Sequence, residues 1–220
     1  MKVYPIFLNN LSEQRSIVIG GDHEAERKVG SLLEVDAQIT LISPNPSEQL
    51  QQWAREGAID WIEREYRRGD LRGAFLVIVS EYNPERSQRI WEEAQERNIL
   101  INAMDDVPRC NFVAGSVVRR GPLVISISTT GKAPTLSVRM RQDLEEEIDP
   151  EYEEFLEIMH ELREPMAEQY PDFDRRRDLW YDIVDSNALE LIGRDRPAAA
   201  LDRIREIVGD EVVDCITAAP

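Results

Sequence analysis

The sequence predicts an α/β protein: a parallel sheet covered on both faces by helices, then a β-hairpin with one helix, then a small helical C-terminal domain. Three observations carry this reading. Between residues 16 and 102, short apolar runs alternate with segments whose apolar residues recur at helical spacing, the pattern of strand–helix–strand units. After Met104 two apolar runs are joined by Arg119-Arg120-Gly121-Pro122, a turn signal. From residue 151 onward the apolar spacing is helical.

SIVIG at 16–20 is a strand that runs into Gly20-Gly21, and Ala25, Val29, Leu32 and Leu33 then mark a helix. QITLIS at 38–43 is a second strand, 47–56 a helix, and AIDWIE at 58–63 a short strand. GAFLVIVS at 73–80 is apolar without alternation, as a strand buried on both faces must be. Pro84 stands near the start of a helix through Ile90, Trp91 and Ala94, where proline is well tolerated, and NILIN at 98–102 closes the series. FVAGSVV and LVISIS then form the hairpin, a helix spans about 134–148, and Pro150 marks a boundary. FLEIMHEL, the segment around Leu179-Trp180-Tyr181 and AALDRIREIV are helical, and the tail after Gly209 reads as frayed. The division that follows is 1–111, 112–149, 150–208 and a tail of 209–220.

A net charge of −17 argues against a nucleic-acid partner, since phosphate binding needs a basic face. The longest apolar runs fall short of the roughly 20 residues that cross a bilayer, and the N-terminus enters fold-like sequence directly, so the expectation is a cytoplasmic protein without a membrane partner. Two cysteines, Cys110 and Cys215, are too few for a disulfide scaffold. The charge is uneven, however. From Val107 to Gln142 there is no acidic residue, while Arg109, Arg119, Arg120, Lys132, Arg139 and Arg141 supply six cations. Such a stretch suits an anionic ligand.

Gly20-Gly21-Asp22-His23-Glu24-Ala25 occupies the place where a dinucleotide-binding, Rossmann-like fold puts G-x-G-x-x-G/A. The middle glycine is Asp22. A carboxylate there meets the pyrophosphate at about 4 Å, a repulsion of roughly 4 kcal/mol at an effective dielectric near 20, or about three decades in affinity before screening. Asp22 also suits the N-cap of the following helix, a role worth around 1 kcal/mol. The second strand ends in Ser43-Pro44-Asn45, without the usual acidic ribose anchor.

The ordered set of motifs is more specific than any one of them. PIFLNN, the strand and glycine turn before Ala25-Glu26-Arg27-Lys28, GAFLVIVS, NAMDD, and CNFVAGSVVRRGPLVISISTTGKAP with its following helix resemble the precorrin-2 dehydrogenase and sirohydrochlorin ferrochelatase family, the dehydrogenase–chelatase half of siroheme synthase. The likeness runs from about residue 3 to 147 and continues more weakly through RRRDLWYDIV. It implies a dinucleotide-binding domain, a dimerisation region made of the hairpin and its helix, and a helical C-terminal domain. It also implies a homodimer that acts on precorrin-2 or sirohydrochlorin, with NAD as cofactor and ferrous iron as a substrate metal. The methylating half of fused siroheme synthases is expected to lie outside this chain.

Residue by residue, the resemblance makes Asp105, in Asn102-Ala103-Met104-Asp105, the candidate for proton transfer. It places Gly20, Gly21, Asp22, His23, Ala25, Ser43, Ser80 and Glu81 around NAD. It places Asn102, the loop Ser128, Thr129, Thr130, Gly131 and Lys132, and the cations Arg119, Arg120 and Arg139 around the tetrapyrrole, whose eight carboxylate arms call for arginine. The departures cluster at the dinucleotide: Asp22, Val79-Ser80-Glu81 where an AAT-type sequence is usual, and Ser87 in place of a common asparagine. They leave open a chelatase that does not use NAD, and a non-catalytic tetrapyrrole-binding partner.

Overall fold

The computed structural model describes residues 2–217 and divides into two compact units, one up to Ala114 and one from Gly115. The first unit contains β1 (Arg15–Ile19), α1 (His23–Leu33), β2 (Gln38–Ile42), α2 (Glu48–Arg55), β3 (Asp60–Ile62), β4 (Leu76–Val79), α3 (Pro84–Glu96) and β5 (Leu100–Ala103). All five strands are parallel, in the order β3-β2-β1-β4-β5. The order reverses between β1 and β4, and the chain leaves β1 for α1 on one face and β4 for α3 on the other, so the two loops part at the carboxyl ends of the strands, the usual place for a ligand in such a sheet.

Alternation along β1 explains the layering. Val18 points to one face and packs with Ala25, Val29 and Leu32 of α1 and Leu50 of α2. Ile17 and Ile19 point to the other, with Val77, Val79, and Ile90 and Ala94 of α3. Each such buried valine, leucine or isoleucine contributes about 1.5–3 kcal/mol relative to exposure, and both faces are filled, as the near-continuous apolar strands require.

In the second unit β6 (Ser116–Arg120) and β7 (Leu123–Ile127) form an antiparallel pair, followed by α4 (Pro134–Glu147). Only Val118 of the two strands is buried. Arg120 is engaged structurally: its guanidinium donates to the carbonyls of Ile148 (2.9 Å), Glu145 (2.8 Å) and Arg119 (3.0 Å), clamping the end of α4. The remainder is α5 (Glu151–Glu161), α6 (Arg163–Gln169), α7 (Phe173–Val184), α8 (Ala188–Gly193), α9 (Pro197–Val208) and α10 (Asp210–Thr217). These helices share one core that includes Phe155, Leu162, Met166, Leu179, Ile183 and Ile204.

The expectation of a frayed tail fails for residues 210–217. Gly209 turns the chain at φ +85°, and Val212 and Val213 of α10 are buried in the helical core. Two adjacent valines after a glycine stop supply the apolar face that holds this last helix; residues 218–220 lie outside the described part. Among the described residues no helix is long and apolar enough to cross a membrane.

The loop before β4 is pinned by a buried carboxylate. Glu93 of α3 is 0% exposed and accepts from the Tyr66 hydroxyl (2.5 Å), the Gly69 amide (2.8 Å) and Arg97 Nε (2.8 Å). Burial pushes its carboxyl up, but these hydrogen bonds outweigh burial and hold it below the ordinary value; the same burial raises the Tyr66 phenol. Asp70, paired through two oxygens with Arg64, is lowered chiefly by those hydrogen bonds. Both carboxyls are depressed, so their contribution is complete above the unfolded values near pH 4 and is lost as pH falls through the folded values. Urea unfolding should therefore show stability dropping below about pH 4. Glu93→Leu, which leaves the Tyr66 hydroxyl and Gly69 amide without acceptors, should cost about 3 kcal/mol at pH 7.

Candidate functional site

The turn between β1 and α1 is held closely on both sides. A β-carbon at Gly20, where φ is +130°, would lie 2.0 Å from Ser80 Oγ and 3.2 Å from the Glu81 nitrogen. One at Gly21 would lie 2.3 Å from Ser43 Oγ and 2.7 Å from the Asn45 carbonyl oxygen. The Ser47 amide donates to the Gly21 carbonyl at 2.8 Å, and Trp61 Nε1 donates to the Ser43 carbonyl at 2.9 Å, fixing the loop after β2 against the turn. Ser43 is buried in this contact and Ala25 in the core beneath it.

Asp22 is the N-cap of α1, with Oδ1 accepting from the Ala25 amide at 2.9 Å. The amides of Gly21, Asp22, His23 and Glu24 have no internal acceptor among the described residues, and such a fan of donors at a helix start suits an anion. Around it lies a cleft of about 240 Å³, lined by Gly21, Asp22, Ser80, Glu81 and Asp105 together with Glu24, Tyr82 and Met104. The structure thus brings the proton-transfer candidate and four of the dinucleotide candidates to one place. Glu24, Tyr82 and Met104 were missed: Glu24 and Met104 fill variable positions of the quoted motifs, and Tyr82 stands outside them. His23 projects to solvent, with Nδ1 3.6 Å from Glu26 Oε1.

The negative charge at Glu81 is compensated. Its carboxylate accepts two hydrogen bonds from Arg86 Nη1 (2.6 and 2.8 Å), and Arg86 Nη2 reaches Glu65 at 2.7 Å. Arg86 and Glu81 are only 15% and 17% exposed, so this pair is poorly screened. Asp22 has no such cation beside it among the described residues.

Asp105 follows β5 in a left-handed conformation, φ +56°, and its exposed carboxylate takes no hydrogen bond or ion pair among the described residues. Asp106, by contrast, accepts from Arg109 at 2.5 Å, and Arg109 also donates to Gln88. Asn102, expected at the substrate, donates instead to the Phe112 carbonyl at 3.1 Å. Cys110 bridges the Ala103 carbonyl at 3.1 Å, and burial pushes its thiol up.

In the second unit Ser128 Oγ accepts from the Thr130 amide (3.1 Å), and Thr129 Oγ1 accepts from the Ala133 amide (3.2 Å) and lies 3.2 Å from Ser137 Oγ. Two hydroxyls of the loop thereby build it and start α4. Thr130 and Gly131 follow with φ +54° and +77°, and Lys132 and Arg139 stand exposed without an ion pair among the described residues. Arg119 is half-buried on β6, and Arg120 is the clamp described above, not a free cation.

Three family models match in succession: "Putative NAD(P)-binding" over residues 7–116, "Sirohaem biosynthesis protein central" over 120–147, and "Sirohaem synthase dimerisation region" over 151–207. The chain belongs to the family that these three models describe in succession, with a putative NAD(P)-binding region, a sirohaem biosynthesis central region and a sirohaem synthase dimerisation region. The word dimerisation thus attaches to 151–207, C-terminal to the hairpin region. Among its relatives is the siroheme synthase of Pseudoalteromonas atlantica, 32% identical over 87% of this chain and 41% of that protein. That of Actinobacillus pleuropneumoniae serotype 3 is 31% identical over 82% of this chain and 37% of its own length. The chain spans about two fifths of the curated relatives it matches. A solved structure described as "SirC, precorrin-2 dehydrogenase" superposes with a TM-score of 0.75 at 22% identity, covering 93% of this chain and all of that one, and shares the fold.

Proposed function

We propose that this chain oxidises precorrin-2 to sirohydrochlorin with NAD in the synthesis of siroheme. The observation that carries the proposal is Asp105: a carboxylate without a partner among the described residues, lodged in the same cleft as the glycine turn and the open start of α1. The succession of family models and the relatives named siroheme synthase support the substrate class.

The donor set fits a dinucleotide. The amides of Gly21 to Glu24 would hold its pyrophosphate, and the side chain of Asp22 opposes it. When bound, NAD would supply the acceptor for a hydride from precorrin-2. The accompanying proton must depart to a base, and the Asp105 carboxylate can receive it. Lys132 and Arg139 are cations still available for the carboxylate arms.

Asp22 also favours a second reading, in which the chain inserts ferrous iron into sirohydrochlorin and uses no NAD. There Asp105 would take the pyrrole protons. Asp22→Gly separates the two. The variant should lose only a few tenths of a kcal/mol in stability, because glycine is nearly as good an N-cap, and should bind NADH at least about tenfold more tightly than the parent, part of the repulsion near 4 kcal/mol. Fluorescence titration reads the change; micromolar binding by the parent would mean that the phosphates avoid Asp22.

Asp105→Asn should lower turnover at saturating tetrapyrrole by about 10² to 10⁴, the usual worth of a general base. Its melting temperature should stay put, because asparagine accepts a positive φ and no internal contact is lost. Unchanged turnover would remove Asp105 from the reaction.

The chain would act as a homodimer held through the hairpin and α4. Two five-residue strands are marginal alone, and Val117, Leu136, Val138 and Met140 are exposed on them and on α4. Sedimentation should show a dimer at micromolar concentration that Leu136→Glu with Met140→Glu dissociates. A dimer that survives those changes and yields to Phe173→Ser with Tyr181→Ser on α7 would place the contact within 151–207 instead.

A further inference from the structure

The loop after β2 lacks the carboxylate that normally grips the adenosine ribose of a dinucleotide: Ser43, Pro44 and Asn45 stand there. A carboxylate reaches the same place from another element. Glu26, in the first turns of α1, is 26% exposed, and its Oε2 accepts from Ser47 Oγ at 2.8 Å while Oε1 lies 3.6 Å from His23 Nδ1. Ser47 in turn donates its amide to the Gly21 carbonyl and caps α2. Glu26 is therefore tethered across the gap between the phosphate turn and the end of β2, the gap in which a dinucleotide fold seats its ribose. No lysine or arginine occurs from Ser43 to Ala54.

We infer that Glu26 is the ribose-binding residue of this chain, accepting from the 2′- and 3′-hydroxyls in place of an acid on β2, and that it selects NAD against NADP. The inference rests on the NAD reading above. The carboxylate serves two ends. It accepts hydrogen bonds from a vicinal diol, and it repels a 2′-phosphate that finds no cation on the loop opposite. Ser47 holds one oxygen in place and leaves the other for the sugar.

The test is fluorescence titration of NADH and NADPH against the whole chain, in the parent and in Asp22→Gly, with Glu26→Gln and Glu26→Arg built in both. Hydrogen bonds to a charged group commonly support a discrimination of about ten- to hundredfold. NADH should therefore bind at least about tenfold more tightly than NADPH. Glu26→Gln should weaken NADH by about tenfold and narrow the preference, and Glu26→Arg should turn it toward NADPH, since arginine accommodates a 2′-phosphate. Equal affinities in the parent, or an unchanged NADH affinity in Glu26→Gln, would overturn the role of Glu26 alone. Failure of both dinucleotides in every background, including Asp22→Gly, would overturn the NAD reading and this assignment with it. Unaltered melting of Glu26→Gln should accompany the loss of binding, which separates ribose recognition from a tether that only stiffens the loop.

Discussion

At Gly20 and Gly21 three chain segments meet with no room for a β-carbon, and most of what the first unit presents follows from that contact. The end of β1, the start of β4's loop at Ser80 and the loop after β2 at Ser43 to Asn45 press on the turn from both sides. The pressure fixes where α1 begins. The amides of Gly21 to Glu24, without an acceptor among the described residues, thus open beside Glu81 and Asp105, and Glu26 is brought to Ser47. A larger residue at either glycine would have to displace Ser80 or backbone, moving the helix start and the cleft together.

Charge acts on this frame unevenly. Glu81 is held by Arg86, itself braced by Glu65, and the loop carrying Glu65 is anchored through Tyr66 and Gly69 to the buried Glu93. The second acidic departure at the dinucleotide site is thus neutralised by a chain of contacts that starts in the core of the unit. Asp22 is placed differently, as a helix cap with no cation beside it among the described residues. The obstacle to a pyrophosphate is concentrated in one residue, and it is a residue the helix uses.

Much of the fold was legible because its signals are local. The apolar runs 38–43 and 73–80 contain β2 and β4, and 16–20 covers β1 except Arg15, since strands buried on both faces can hold little else; Asp22 read as an N-cap because capping depends on three neighbouring residues. Asp105 read as a carboxylate at the end of a strand, and it stands just after β5, lining the cleft beside the glycine turn. What could not be read depends on partners distant in sequence. Arg120 looked like a free cation of a basic stretch, yet it closes on carbonyls 25 and 28 residues away. The contact of Glu65 with Arg86 needs the loop before β4 folded against α3, and the link from Glu26 to Ser47 crosses 21 residues. The last helix was missed because two valines after a glycine carry too little periodicity to announce a helix without the core they enter.

In the proposed oxidation Asp105, the glycine turn and the Asp22 cap work from one cleft. The most direct measurement is anaerobic incubation of the purified chain with precorrin-2 and saturating NAD, following sirohydrochlorin and NADH together. Equal amounts of the two, formed at a rate that rises with NAD into the range where Asp22 permits binding, are the predicted result. Precorrin-2 left unconverted at every NAD concentration, by a chain that still binds sirohydrochlorin, would contradict it.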